Sequence, residues 1–158
     1  MEIRPYDRSD LDPIVELSLR AWEPVFASIE NAMGSEVFLE QHPDWRADQR
    51  KAVETVCADA GTHVWVASED SRIAGFVAAK THAEDRSGEI YMIAVDPDFQ
   101  RRGIAAALME RSMAWLKEAG MTTAMVETGG DPGHAPARRT YEAAGFRLLP
   151  IARYFKKL

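Results

Sequence analysis

Apolar residues along this chain follow two periods in turn. A short opening run, MEIRPY, predicts a strand. The stretch SDLDPIVELSLRAW then repeats apolar residues at helical spacing, with Leu11, Ile14, Val15 and Leu19 on one side. Ser9 or Asp10 can cap it, and Pro13 fits its first turn. Residues 24–60 keep a helical pattern broken at Gly34 and Pro43. Its clearest piece is RKAVETVCADAG, where Val53, Val56, Cys57 and Ala60 form a stripe and Gly61 is the stop. The period then shortens. THVWVASE and RIAGFVAAKTH are rich in β-branched and aromatic residues and meet at a polar turn around Asp70 and Ser71, which predicts a hairpin.

GEIYMIAVD predicts a third consecutive strand. GIAAALMERSMAWLKEAG returns to helical spacing, with Ile104, Leu108, Ser112, Trp115, Leu116 and Ala119 on one broad face and Gly120 after its end. TTAMVET predicts a strand, PARRTYEAAG a short helix ending at Gly145, and FRLLP and ARYFKK two closing strands. Strand 89–95, helix 103–119 and strand 122–128 make a β-α-β unit, so those two strands should be parallel with a right-handed crossover. The fold class is therefore α/β in the mixed α+β sense: a mostly antiparallel sheet of about six to seven strands with helices on its faces. No repeat, low-complexity segment or linker divides the chain, so residues 1–158 read as a single domain.

Composition narrows the function classes. The chain has 158 residues, of which 46% are hydrophobic, enough for a real core. A net charge of −6 argues against nucleic-acid binding, which needs a basic surface to displace counterions. No apolar run could span a bilayer and no signal-peptide layout opens the chain, so the expectation is a cytoplasmic protein with no membrane partner. Cys57 is the single cysteine and falls on an apolar stripe, which favours packing over nucleophilic chemistry. His42, His63, His82 and His134 lack metal-ligand spacing, so no metal is assigned.

The chemistry concentrates in QRRGIAAALM, residues 100–109. A helix start leaves backbone N–H groups unpaired and carries the positive end of the helix dipole, which makes it an anion site. Gly103 lets a phosphate approach the backbone, Ala105 keeps the next turn small, and Arg101 and Arg102 add charge. The plainer reading is a loop glycine beside solvated arginines. The glycine-rich dinucleotide fingerprint and the phosphate-binding loop ending in Gly-Lys-Ser/Thr are both absent.

IAVDPDFQRRGIAAALM resembles motif A of the GNAT superfamily of acyl-CoA-dependent N-acyltransferases, whose signature is Gln/Arg-x-x-Gly-x-Gly/Ala. Gln100, Gly103 and Ala105 fill it. ARRTYEAAGF resembles the second motif of that family through Ala137, Tyr141, Glu142, Gly145 and Phe146. The likeness is close over residues 62–157 and extends to residues 1–60 only in element order.

This resemblance implies acetyl-CoA as cosubstrate and a splayed parallel strand pair that holds it. The pantetheine arm would pair with the backbone of Ile93, Ala94 and Val95. The pyrophosphate would lie on the amides of Arg101, Arg102, Gly103, Ile104 and Ala105, with Gln100 opening the motif. Tyr141 would stand near the thioester sulfur. The family often carries asparagine seven residues before this tyrosine, and His134 occupies that place here. Histidine can donate a similar hydrogen bond and can also titrate near neutral pH; it can equally be a plain loop residue.

The reaction sets its own requirement. Only a neutral amine attacks a thioester, and an alkylamine near pKa ~10.4 is neutral in roughly one molecule per thousand at pH 7. A general base removes that handicap. The resemblance implies Glu89 as the favoured base, because some members of that family place their catalytic glutamate eleven residues before the position of Gln100; strict alternation would set it on the face of Tyr91, Ile93 and Val95, away from Ile90 and Met92. Glu127 is the competitor, and an ordinary surface carboxylate is the alternative reading for both. Arg138 and Arg139 read as solvated charges, and Trp22, Phe26 and Trp45 as core or as the wall of an acceptor pocket. Two function classes stand: an N-acetyltransferase acting on a small-molecule or protein amine, compatible with a homodimer, and a catalytically silent acyl-CoA-binding sensor or interaction module.

Overall fold

The computed structural model describes all 158 residues. Five strands form one sheet in sequential order: β1 (Glu2–Pro5), β2 (Thr62–Glu69), β3 (Arg72–His82), β4 (Ser87–Val95) and β5 (Thr123–Val126). The first four pair antiparallel and β4 pairs β5 in parallel, as the β-α-β reading requires. The β2–β3 hairpin turns through Asp70 and Ser71, both at positive φ (51° and 62°). That is the mirror-image turn whose twist matches a right-handed strand pair.

Helices cover both sheet faces. α1 (Leu11–Met33), α2 (Ser35–Gln41) and α3 (Trp45–Ala58) precede β2, with the breaks falling at Gly34 and around Pro43. α1 continues through Pro24, beyond the predicted end, because one proline removes a single N–H from a helix held by Ile14, Val15 and Leu17 in the core. Those residues pack with Val53, Val66, Phe76 and Ala94 on one face of the sheet. α4 (Ile104–Glu118) and α5 (Ala135–Ala143) serve the other face, where Ile104, Leu108, Met109, Leu116 and Tyr141 meet Val77, Ala79 and Ile90.

Three expectations are corrected. FRLLP and ARYFKK are not strands, so the sheet has five strands rather than six or seven. Pro150 has no N–H to give a ladder, β5 offers an edge only four residues long, and Leu148, Leu149, Ile151 and Tyr154 stay exposed. Neither Ser9 nor Asp10 caps α1 with its side chain. The Asp10 carboxylate turns back instead to the Asp7 N–H at 2.8 Å and to Arg4 at 2.7 and 2.8 Å, and the Arg4 hydrogen bonds hold its pKa below the usual carboxylate range.

The third correction concerns β4. Ala78 opposes Met92 while Ala79 opposes Ile90, so Tyr91 is an extra residue, a β-bulge. A bulge resets alternation. Glu89 opposes Lys80 and therefore lies on the α1/α3 face with Met92 and Ala94, whereas Ile90, Ile93 and Val95 face α4. Strict alternation had put Glu89 with Ile93 and Val95.

Candidate functional site

β4 and β5 stay paired only from Ser87–Thr123 to Ile90–Val126. Beyond Ile90, residues 91–95 of β4 have no β5 partner, so the parallel pair opens just past the bulge. The resemblance drew Ile93, Ala94 and Val95 into such an opening. The structure sets Ile93 and Val95 against the cluster that contains Tyr141 and Ile104, while Ala94 is buried on the opposite face.

The loop leaving β4 is shaped for an anion. Arg101 has φ 63° and Gly103 has φ 80°, a closely spaced pair of left-handed residues. Arginine is rare in that region, and such local strain collects at working sites. The amides of Gly103, Ile104, Ala105 and Ala106 donate to no group of the protein. The first turn of α4 holds no acidic residue, and a Cβ built at Gly103 would meet nothing within 4 Å. A phosphate therefore has free donors, the positive helix end and an open approach. The donor set fits a pyrophosphate.

The two arginines differ. Arg102 is held by Glu69 at 3.2 Å and the Asp98 carbonyl at 3.2 Å, with its guanidinium over the Phe99 ring. Arg101 makes no hydrogen bond or ion pair and is the free cation of the loop. Gln100 points back and donates to the Val95 carbonyl at 3.3 Å, tying the loop to the end of β4. Underneath, the buried Asp96 carboxylate accepts the Asp98 N–H at 3.0 Å and pairs with Arg20 of α1.

Tyr141 stands on α5 with 9% of its surface exposed and its ring edge-on to Phe146. Burial alone pushes its hydroxyl up to about 12, so the group is a phenol throughout the neutral range. Its hydroxyl donates to no protein group, which leaves the proton available to a ligand. Glu89 precedes the strand opening by one residue and is hydrogen-bonded to His82 at 3.0 Å. Glu127 directly follows β5 and is exposed.

His134 is committed elsewhere. Its Nδ1 lies 2.5 Å from Asp131 Oδ1, and Asp131 Oδ2 accepts the Ser28 hydroxyl of α1 at 2.6 Å. Burial works to raise the Asp131 pKa, but the hydrogen bonds from Ser28 and His134 outweigh it and the carboxyl sits below its usual range. Arg138, expected to be solvated, donates to the Gly129 and Asp131 carbonyls at 2.5 and 2.9 Å. Gly129 and Gly133 have no room for a Cβ, which would come within 2.5 Å of Asp131, His134 or Ser28 atoms. The bulge, His82, Ser28 and Asp131 were not picked out from sequence; GGDPGH was read only as a loop. Phe26 and Trp45 stack at 4.5 Å beside Phe38 and His42, between the first three helices. Cys57 is half-buried and its thiol is pushed up to about 11 by burial, in keeping with a packing role.

A parallel strand pair that opens beside a helix start with unpaired amides offers a setting whose chemistry suits a phosphate-bearing ligand. Residues 22–146 match the model of the acetyltransferase (GNAT) family, most of the chain, and the chain belongs to that family. Over 82 residues it is 37% identical to mycothiol acetyltransferase of Streptomyces coelicolor, covering 52% of this chain and 26% of that protein. It spans between 26% and 37% of the length of the first mycothiol acetyltransferases it matches. Among solved structures, a GNAT-family acetyltransferase from Desulfovibrio desulfuricans superposes with a TM-score of 0.72 at 24% identity, over 94% of this chain and 86% of that one. An aminoglycoside N-acetyltransferase in complex with a CoA-containing bisubstrate analogue superposes with a TM-score of 0.67 at 19% identity, over 99% and 97%. Likeness at these identities is one of fold. No helix is long and apolar enough to cross a membrane.

Proposed function

We propose that this chain transfers an acetyl group from acetyl-CoA to a primary amine of a small molecule or protein, with Glu89 as general base and Tyr141 as acid. One observation carries the reading: the unpaired amides of Gly103 to Ala106 stand at the head of α4, beside the strand opening that Glu89 borders. Acetyl-CoA supplies the acetyl group as a thioester. The chain holds the pyrophosphate with those amides and with Arg101. The backbone of β4 beyond Ile90, free of β5, receives the pantetheine arm. The aminoglycoside N-acetyltransferase named above supports an amine acceptor.

The acceptor arrives as an ammonium and must lose a proton. A carboxylate at Glu89 accepts that proton, directly or through water, so that the neutral nitrogen bonds to the acetyl carbon; as the C–S bond breaks, the second proton of the nitrogen passes to solvent and the amide is left. The departing sulfur leaves as a thiolate with an intrinsic pKa near ~8.5. A phenol near 12 gives up its proton reluctantly to such a group, so Tyr141 acts chiefly as a hydrogen-bond donor to the sulfur. The base therefore matters more than the acid.

Free-thiol release from acetyl-CoA against a panel of amines tests the reading. Glu89→Gln should lower kcat about a hundredfold or more near neutral pH, and Tyr141→Phe about tenfold, both without loss of CoA binding. Wild-type kcat in Glu89→Gln moves the base to Glu127 or to water. Thiol release with no amine in the panel favours the silent binding module.

A further inference from the structure

Glu89 has two candidate partners across the β3–β4 hairpin. Lys80 opposes it directly in the register, and His82 lies diagonally, opposite Ser87. Diagonal neighbours on one sheet face are about 7–8 Å apart at Cα, within reach of long side chains. The direct partner is diverted. The Lys80 ammonium lies 3.5 Å from Asp59 at the end of α3 and 4.1 Å from the centre of the Tyr91 ring. Glu89 reaches past it to His82 Nε2 at 3.0 Å. The bulge presents Tyr91 as an extra residue, and its ring is one of the two groups that hold Lys80 away.

Resting on the reading of Glu89 as base, we infer that His82 is its positioning residue: the imidazole fixes one carboxylate oxygen so that the other faces the acceptor amine. An ionised carboxylate only accepts hydrogen bonds, so Nε2 carries the proton and donates it to Oε2. Oε1 makes no hydrogen bond within the protein and is free for the amine. The choice of partner follows from charge. A lysine is a permanent cation and would repel an incoming ammonium beside the base; an imidazole can orient the carboxylate through one N–H without being a permanent charge. The Glu89 side chain is 21% exposed and His82 is 40% exposed, so the carboxylate is the more enclosed of the two. The charged groups around the imidazole are Glu89, Lys80 two residues back on β3, Asp59 on Lys80, and Glu84, Asp85 and Arg86 in the hairpin turn. Arg86 is turned to the Gly120 carbonyl at 3.4 Å.

Two measurements test this. In the ligand-free protein, nitrogen resonances of the His82 imidazole at neutral pH should report a proton fixed on Nε2, and Glu89→Gln should release it to the tautomer mixture of a solvated histidine. A wild-type His82 that already shows that mixture overturns the inference. In thiol-release assays with acetyl-CoA and the fastest amine of the panel, His82→Leu should lower kcat about tenfold with KM for acetyl-CoA unchanged. His82→Gln, which keeps an N–H donor, should restore most of it. In a Glu89→Gln background, His82→Leu should cost nothing further, because His82 acts only through Glu89. Equal losses in both backgrounds assign His82 a structural role and overturn the proposal. A Glu89→Gln variant with wild-type kcat overturns the base reading itself, and that outcome is distinct from a failure at His82 alone.

Discussion

Two loops leave the parallel strands of this sheet and each opens a helix, yet their helix starts are opposite in character. At α4 the amides of Gly103 to Ala106 have no acceptor and no acidic residue stands in the first turn. At α5 the Gly133 amide donates to Ser28 and Asp131, His134 to the Asp131 carbonyl and Ala135 to the Pro132 carbonyl, while Pro136 has no N–H at all. Asp131 supplies the anion that this helix end attracts. One loop leaves its donors unpaired; the other uses its own to fasten α5 to α1. A β-loop-α unit is thus not in itself an anion site. What decides is whether the protein's own groups have already filled the helix end.

The largest effect should come from emptying the filled end. Asp131→Ala leaves the Ser28 hydroxyl and His134 without their shared acceptor, in a place where Asp131 is mostly buried. Unfolding in denaturant should show a loss of about 2–3 kcal/mol, the penalty for stranding buried polar partners. The stabilisation that CoA adds should persist, since the α4 start is untouched. If the variant loses CoA binding with its fold intact, the two loops are not separate devices.

A second, smaller contrast lies within the open loop. Arg101→Ala should weaken CoA binding about fivefold by calorimetry, the range of one exposed charge pair. Arg102→Ala should change it less than about twofold, because Arg102 is already tied to Glu69 and the Asp98 carbonyl. Equal losses would mean that Arg102 leaves its partners when the ligand binds.

The mildest test is pH. The Asp131 carboxyl is held below its usual range in the folded protein, so its contribution is full above the ordinary carboxylate pKa of about 3.9 and fades as pH falls through the lower folded value. The difference in Tm between wild type and Asp131→Ala should therefore be constant from pH 8 to 5 and shrink below about 4. A difference that persists at the lowest pH would assign the loss to packing rather than to the charge.

Much of this was legible beforehand where a local pattern carries the information. The hairpin at Asp70 and Ser71 and the helix over 104–118 with its start at Gly103 follow from residues close in sequence. The bulge at Tyr91 does not, because one extra residue leaves proper alternation on either side of it and only the partner strand shows the slip. The Ser28–Asp131 bond joins residues 103 apart, and nothing near either one announces it. His82 was weighed only as a metal ligand, while its partner lay across the hairpin. The closing segment misled for a related reason: its composition suits strands, but strands require an edge to pair with, and Pro150 and a four-residue β5 provide little.

The central claim is that the α4 start binds the pyrophosphate of CoA, and calorimetry of CoA against pantetheine, which lacks that group, tests it most directly. Wild type should bind CoA at least a hundredfold more tightly than pantetheine. Gly103→Glu, which sets a carboxylate at the helix start and an L-residue at φ 80°, should nearly abolish that preference while leaving pantetheine affinity unchanged. A folded Gly103→Glu protein that keeps the wild-type preference for CoA would contradict the account and put the phosphates elsewhere on the molecule.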